Sequence, residues 1–186
     1  MNIGLFFGTF NPVHLGHIKI ISNILQKKLF DQIWIILSPR SPHKKYNLVD
    51  KNERFHMLEI AFANYKKVIV SDVEFYLNEP NYTAITLDYL KNKYSKNNFS
   101  IIMGSDSYLT LGSWLRAKDV QKNKIYIYPR KDYIIKNLDW NAIILDLDEM
   151  EISSTLIRDK FQKRVKDVVK YLNYDVFKYI KRKKLY

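Results

Sequence analysis

Residues 2–37 read NIGLFFGTFNPVHLGHIKIISNILQKKLFDQIWIIL, and their spacing sets the architecture. An apolar run over residues 2–7 ends at Gly8, the turn-forming pair Asn11-Pro12 follows, and Leu15, Ile18, Ile21, Leu25 and Leu29 then recur at three and four. That is the pattern of strand, loop and amphipathic helix. The run Ile33-Trp34-Ile35-Ile36-Leu37 is too short for a helix and is stopped by Ser38-Pro39. It reads as a second buried strand, parallel to the first if the helix crosses over. Outward from this βαβ unit the alternation continues. Helices are predicted over 53–64 and 83–94, strands over 68–70, 100–103, 124–128 and 142–147, a helix opened by Ser153, and a last helix over 167–181. Strands alternating with helices predict an α/β, doubly wound parallel sheet with helices on both faces. Segment 38–50, and 105–119 if its helix is irregular, read as long loops, which in a compact domain tend to be functional or mobile.

Length and composition narrow the possibilities. The 186 residues suit one domain, 1–186, in which 159–186 forms a basic C-terminal helical extension. With 47% hydrophobic and 15% aromatic residues against 27% charged, the chain can build a packed core, which excludes global disorder. The absence of cysteine removes disulfides, thiolate nucleophiles and thiolate zinc sites. No apolar run approaches the roughly 18 residues of a membrane span, and residues 1–10 carry neither a basic leader nor a cleavage signal. A soluble, uncleaved, cytoplasmic protein with no membrane partner is expected. The net charge of +12 raises nucleic acid as a partner, and +7 of it falls within 159–186. Lysine dominates, however, while arginine is sparse, which fits a compositional bias better than a set of bidentate phosphate contacts.

Ligands of an open parallel sheet gather at the carboxyl ends of its strands, where Gly8, Ser38, Gly104 and Ser153 fall. After the first strand comes Gly8-Thr9-Phe10-Asn11-Pro12-Val13-His14-Leu15-Gly16-His17. A glycine there lets backbone approach a ligand, and a helix start offers unpaired N–H groups to phosphate. His14 and His17, three apart, share a helix face and can reach one anion. A zinc site would need a further ligand, and none lies nearby in sequence, so no metal-binding residues are assigned. Near the other end stands Ile152-Ser153-Ser154-Thr155-Leu156-Ile157-Arg158. Ser153 can cap a helix whose first-turn N–H groups, with the Ser154 and Thr155 hydroxyls, cradle a polyphosphate while the Arg158 fork closes on it.

Taken together, these two motifs resemble the nucleotidyltransferase superfamily that carries His-x-Gly-His near its N-terminus and Ile-Ser-Ser-Thr-x-x-Arg near its C-terminus. The resemblance implies a Rossmann-like fold of the nucleotidyltransferase type, transferring AMP from ATP with loss of pyrophosphate. Three further segments resemble the nicotinate-nucleotide adenylyltransferases, which make deamido-NAD from nicotinate mononucleotide and ATP: Ser38-Pro39-Arg40-Ser41-Pro42-His43-Lys44, Asn81-Tyr82-Thr83, and Gly104-Ser105-Asp106 followed by Leu111 and Trp114. On that likeness Gly8, Thr9, Phe10, His14, His17, Gly104, Asp106, Ser153, Ser154, Thr155 and Arg158 bind ATP, with His14, His17 and Arg158 catalytic. Lys44, Tyr82, Thr83 and Trp114 then bind the acceptor, and Mg²⁺ rides mainly on the ATP phosphates. Each piece also has a plainer reading: Trp114 as core, Lys44 as solvated loop, Thr83 and Asp106 as helix caps. Two residues depart from the family pattern. Phe7 replaces a glycine, acceptable in an extended strand with its side chain in the core, and Asn11 replaces an aspartate, keeping a turn-forming carboxamide. The nearest rival is pantetheine-phosphate adenylyltransferase, which shares both end motifs; a non-catalytic nucleic-acid-binding module is the rival from another class.

Overall fold

Apolar side chains alternate along the strands because successive residues point to opposite faces of a sheet. In the computed structural model, which describes residues 1–42, 48–149 and 151–186, this alternation feeds two cores. The strands are β1 (Asn2–Gly8), β2 (Gln32–Leu37), β3 (Val68–Ser71), β4 (Asn98–Gly104), β5 (Ile125–Tyr128) and β6 (Ala142–Ile144). All pair in parallel, in the order β3-β2-β1-β4-β5-β6. Ile33, Ile35 and Leu37 face one core with Phe6 and Ile102, whereas Trp34 and Ile36 face the other with Ile3, Leu5, Ile101 and Met103.

The first core is covered by helices α1 (Leu15–Gln26), α2 (Lys51–Phe62), α6 (Ser154–Gln162) and α7 (Tyr174–Lys183), the second by α3 (Thr83–Lys93), α4 (Ser105–Thr110) and α5 (Ala117–Gln121). The doubly wound sheet is therefore as expected. Its order reverses between β1 and β4, and the crevice beyond that switch point is where an open α/β sheet binds ligands. The register puts Gly8 level with Leu37, and Gly104 with Tyr128, so the strand ends open onto one surface.

Element boundaries differ from the sequence expectations for local reasons. Helix α1 stops at Gln26, short of Leu29, because Lys28 turns into the left-handed region at φ 53°. Strand β6 ends at Ile144, after only three residues, although the Leu145 N–H still bonds the Ile127 carbonyl. The helix expected over 167–181 divides into a 3₁₀ turn, Lys166–Tyr171, and α7, which restarts where Asn173 Oδ1 accepts from the Asp175 and Val176 N–H groups. Segment 105–119 is no loop but α4, a 3₁₀ turn and the start of α5, broken where Arg116 takes φ 53°. Helix α7 buries Val176, Tyr179 and Ile180 in the same core as α1 and α2, and Tyr179 donates its hydroxyl proton to the Glu53 carboxylate on α2. Among the described residues, no helix is long and apolar enough to cross a membrane.

Candidate active site

At the carboxyl ends of β1, β4 and β5 lies a cavity of about 640 Å³, within the size range of small-molecule sites. Its wall includes Gly8, Thr9, Phe10, His14 and His17 from the first motif, Ser153, Ser154, Thr155 and Arg158 from the second, and Tyr82, Thr83, Asp106 and Trp114 between them. Gly104 stands just behind the wall as the N-cap of α4, and the Asp106 carboxylate fills the space a side chain there would occupy. Lys44 lies outside the described residues.

The β1 end owes its shape to ring packing. Phe10, at φ 44°, folds its ring back over Gly8, where an added Cβ would stand 2.9 Å from it. Gly8 thus makes room first for Phe10. That ring meets His17 edge-on at 5.0 Å, and His17 stacks on His14 at 3.7 Å. A Cβ at Gly16 would lie 3.0 Å from the His14 ring, which explains the glycine between the two histidines. His17 Nδ1 accepts from the His14 backbone N–H at 3.2 Å, so its ring proton is on Nε2. Burial, helped by the nearby Arg130 charge, pushes the His14 pKa down to about 3, so that ring is neutral at physiological pH. Its Nδ1 is buried without a partner. Phe7 is extended strand, as expected, but its side chain is only half-buried against the second core and also lines the cavity.

The second motif is bonded directly to the first. Ser153 Oγ caps α6 by accepting from the Leu156 N–H at 3.2 Å, and the Ser154 and Thr155 N–H groups, in the first turn, have no partner within the helix. Ser154 Oγ donates to the Pro12 carbonyl at 2.9 Å, so its proton holds the two motifs together. Arg158 reaches the Asn11 carbonyl at 2.9 Å and Thr155 Oγ1 at 3.1 Å.

Beyond the end of β2, buried Asn81 brackets Arg40, receiving its N–H at Oδ1 and giving its own N–H to the Arg40 carbonyl. Its Nδ2 donates to the Glu74 carbonyl, and Thr86 Oγ1 donates to the Glu74 carboxylate at 2.7 Å. These bonds set the 38–42 turn beside Tyr82 and Thr83. Tyr82, not Thr83, is the N-cap of α3, and Thr83 is its first residue. Trp114 is half-buried against the second core and also lines the cavity, so packing and a stacking surface are both available to it. Burial raises the Glu74 carboxyl above the usual carboxylate range, opposed by hydroxyl donors.

Two arginines were not anticipated. Arg130 lines the cavity at the end of β5, 3.9 Å from the Asp106 carboxylate, with its N–H held by Ser105 Oγ. Its place just beyond a strand, in Tyr128-Pro129-Arg130, was a readable signal under the strand-end rule. Arg54 had none: it is one of two cations on α2, beside Lys51, yet it is 1% exposed and donates to four carbonyls, those of Val49, Thr9, Ser38 and Pro39, at 2.7–2.9 Å. Burial lowers its pKa to about 10, still charged at neutral pH. It knits the β1 and β2 ends into the floor beneath the site.

A family profile described as cytidylyltransferase-like matches residues 5–160. A probable nicotinate-nucleotide adenylyltransferase of Flavobacterium johnsoniae is 38% identical over 192 residues, covering 100% of this chain and 99% of that protein. A Bacteroides fragilis protein of the same description is 34% identical, covering 95% of this chain and 90% of its own length. Among solved structures, Plasmodium falciparum nicotinic acid mononucleotide adenylyltransferase complexed with NaAD superimposes with a TM-score of 0.84. The alignment spans 99% of this chain and 96% of that one at 20% identity, a likeness of fold.

Proposed function

The chain belongs to the cytidylyltransferase-like family and, within it, to the nicotinate-nucleotide adenylyltransferases, and we propose that it transfers the adenylyl group of ATP to nicotinate mononucleotide, yielding deamido-NAD and pyrophosphate. One observation carries the assignment of residues. Two phosphate-binding elements more than 140 positions apart are bonded to each other, Ser154 to Pro12 and Arg158 to Asn11, on the wall of a single cavity.

In the proposed reaction a phosphate oxygen of the acceptor attacks the α-phosphorus of ATP in line. The new phosphorus–oxygen bond forms as the bond to the β-phosphate bridging oxygen breaks, and pyrophosphate leaves with the electron pair. The attacking oxygen is already anionic, so no general base is needed. The protein's task is to bring two polyanions together and to stabilise charge growing on the leaving group. His17 Nε2–H, together with neutral His14, serves the phosphates at the reacting centre. Arg158 and the first-turn N–H groups of α6 hold the β- and γ-phosphates. Arg130 adds a cation on the same wall, and Asp106 accepts from the ribose hydroxyls. On the acceptor side, Trp114 offers a flat ring to the pyridinium, Tyr82 and Thr83 border the nicotinate carboxylate, and Lys44 meets the acceptor phosphate.

Mg²⁺ is proposed to travel on the ATP phosphates, where it would offset their charge. Among the described residues no group of three or more His, Cys, Asp or Glu could hold a metal ion. The test is pyrophosphate release from ATP with nicotinate mononucleotide, nicotinamide mononucleotide or phosphopantetheine as acceptor. Preference for nicotinate mononucleotide is expected, and preference for phosphopantetheine would overturn the substrate assignment.

A further inference from the structure

Tyr186 is 175 positions from Asn11 in sequence, yet its hydroxyl donates to Asn11 Oδ1 at 2.8 Å. The same oxygen accepts from the Val49 N–H at 3.3 Å. A backbone N–H can only donate, so the carboxamide must turn its oxygen, not its nitrogen, toward Val49 and Tyr186. On the main chain, the Asn11 carbonyl accepts from Arg158 Nη1 at 2.9 Å. Asn11 itself is 2% exposed. One buried residue thereby joins Arg158, Val49 and Tyr186.

The Tyr186 ring is held independently of that bond. It lies nearly parallel to Phe161, with centroids 6.0 Å apart, and Phe161 in turn lies nearly parallel to Phe177. The ring also packs against the core that α1, α2 and α7 share. Burial drives the hydroxyl's pKa upward, against the pull of the Arg54 and Arg158 charges, so it remains a donor at neutral pH.

We propose that Tyr186 is a positioning residue for adenylyl transfer, fixing the Asn11 carboxamide and, through that turn, the placement of Arg158 and of Val49. The claim rests on the function proposed above. It gives the region beyond α6 a task within the site, by hydrogen bonding and not by charge. The bond also bears on the replacement of the family's aspartate by Asn11, because a carboxamide oxygen accepts from the hydroxyl as a carboxylate would.

Tyr186→Phe keeps the ring and removes only the hydroxyl. Turnover with ATP and nicotinate mononucleotide should fall about tenfold, as small misplacements of catalytic groups do, while the melting temperature moves by no more than about 4 °C. In an Asn11→Ala background the same change should cost less than about twofold, since residues acting through one another are not additive. Amide hydrogen exchange at Val49 should quicken about tenfold in Tyr186→Phe, because its acceptor is no longer held. Unchanged turnover in Tyr186→Phe, or losses that simply multiply in the double variant, would overturn the proposal. If the wild-type protein releases pyrophosphate with no acceptor, the functional reading fails by itself. Val49 exchange then still decides on the linkage, quickened supporting it and unchanged refuting it.

Discussion

The His14 and His17 rings stack with centroids 3.7 Å apart and planes 26° apart. Two imidazolium cations at that distance would repel, and burial keeps His14 neutral, with its pKa pushed down to about 3. The consequence for stability has a definite sign. The unfolded chain takes up this proton near 6.5 and the folded chain only near 3, so between those values the unfolded state binds more protons. Stability from this group is full above about pH 6.5 and is lost as pH falls, by at most about 1.4 kcal/mol per pH unit. Denaturant unfolding from pH 7 to 5 should show this slope as the difference between wild type and His14→Asn. A difference that is flat with pH would place the His14 proton elsewhere.

In the mechanism proposed above, His17 Nε2–H is the donor to the reacting phosphates, with Nδ1 committed to the His14 N–H. His17→Ala should lower turnover by about 10²–10³-fold, the cost of losing one oriented donor to a transition state. Circular dichroism should report an intact fold. Near-normal turnover would remove His17 from the mechanism.

Gly16→Ala tests the packing beneath the stack. The added methyl would sit 3.0 Å from two atoms of the His14 ring, while alanine is otherwise the better helix residue by about 1 kcal/mol. A large loss of turnover, about 10²-fold, with little loss of stability is expected. Measuring kcat beside the thermal midpoint separates the two effects.

Arg54 is expected to matter first for stability. Arg54→Met leaves four carbonyls, three of them in buried hydrogen bonds, without this donor, a change that should cost about 3–5 kcal/mol in chemical denaturation. Arg54→Lys should recover only part of it, because an ammonium cannot span acceptors spread across a planar fork.

Much of this was legible before the structure. The unbroken apolar run from Ile33 to Leu37, buried on both faces, and the three-and-four spacing that follows Pro12 specify the βαβ opening. Residue types at the strand ends located both motifs that line the cavity and bond to each other. Roles that depend on long-range bonds were not legible. The Arg54 fork, the Asn81 bracket around Arg40 and the Tyr186 bond to Asn11 have no local pattern, since their partners are neutral backbone groups or single distant side chains. The break at Leu172-Asn173 was legible in part, because Asn is a strong N-cap, but the apolar spacing over 167–181 runs through it.

The central claim is adenylyl transfer, and following the two ends of ATP tests it most directly. Wild-type protein would be incubated with nicotinate mononucleotide and ATP labelled separately at the α- and the γ-phosphate, and the products resolved by mass. The account predicts that the α-label appears in deamido-NAD and the γ-label in pyrophosphate, in equal amounts. An α-label that stays with ADP, or a γ-label found on the acceptor, would contradict it.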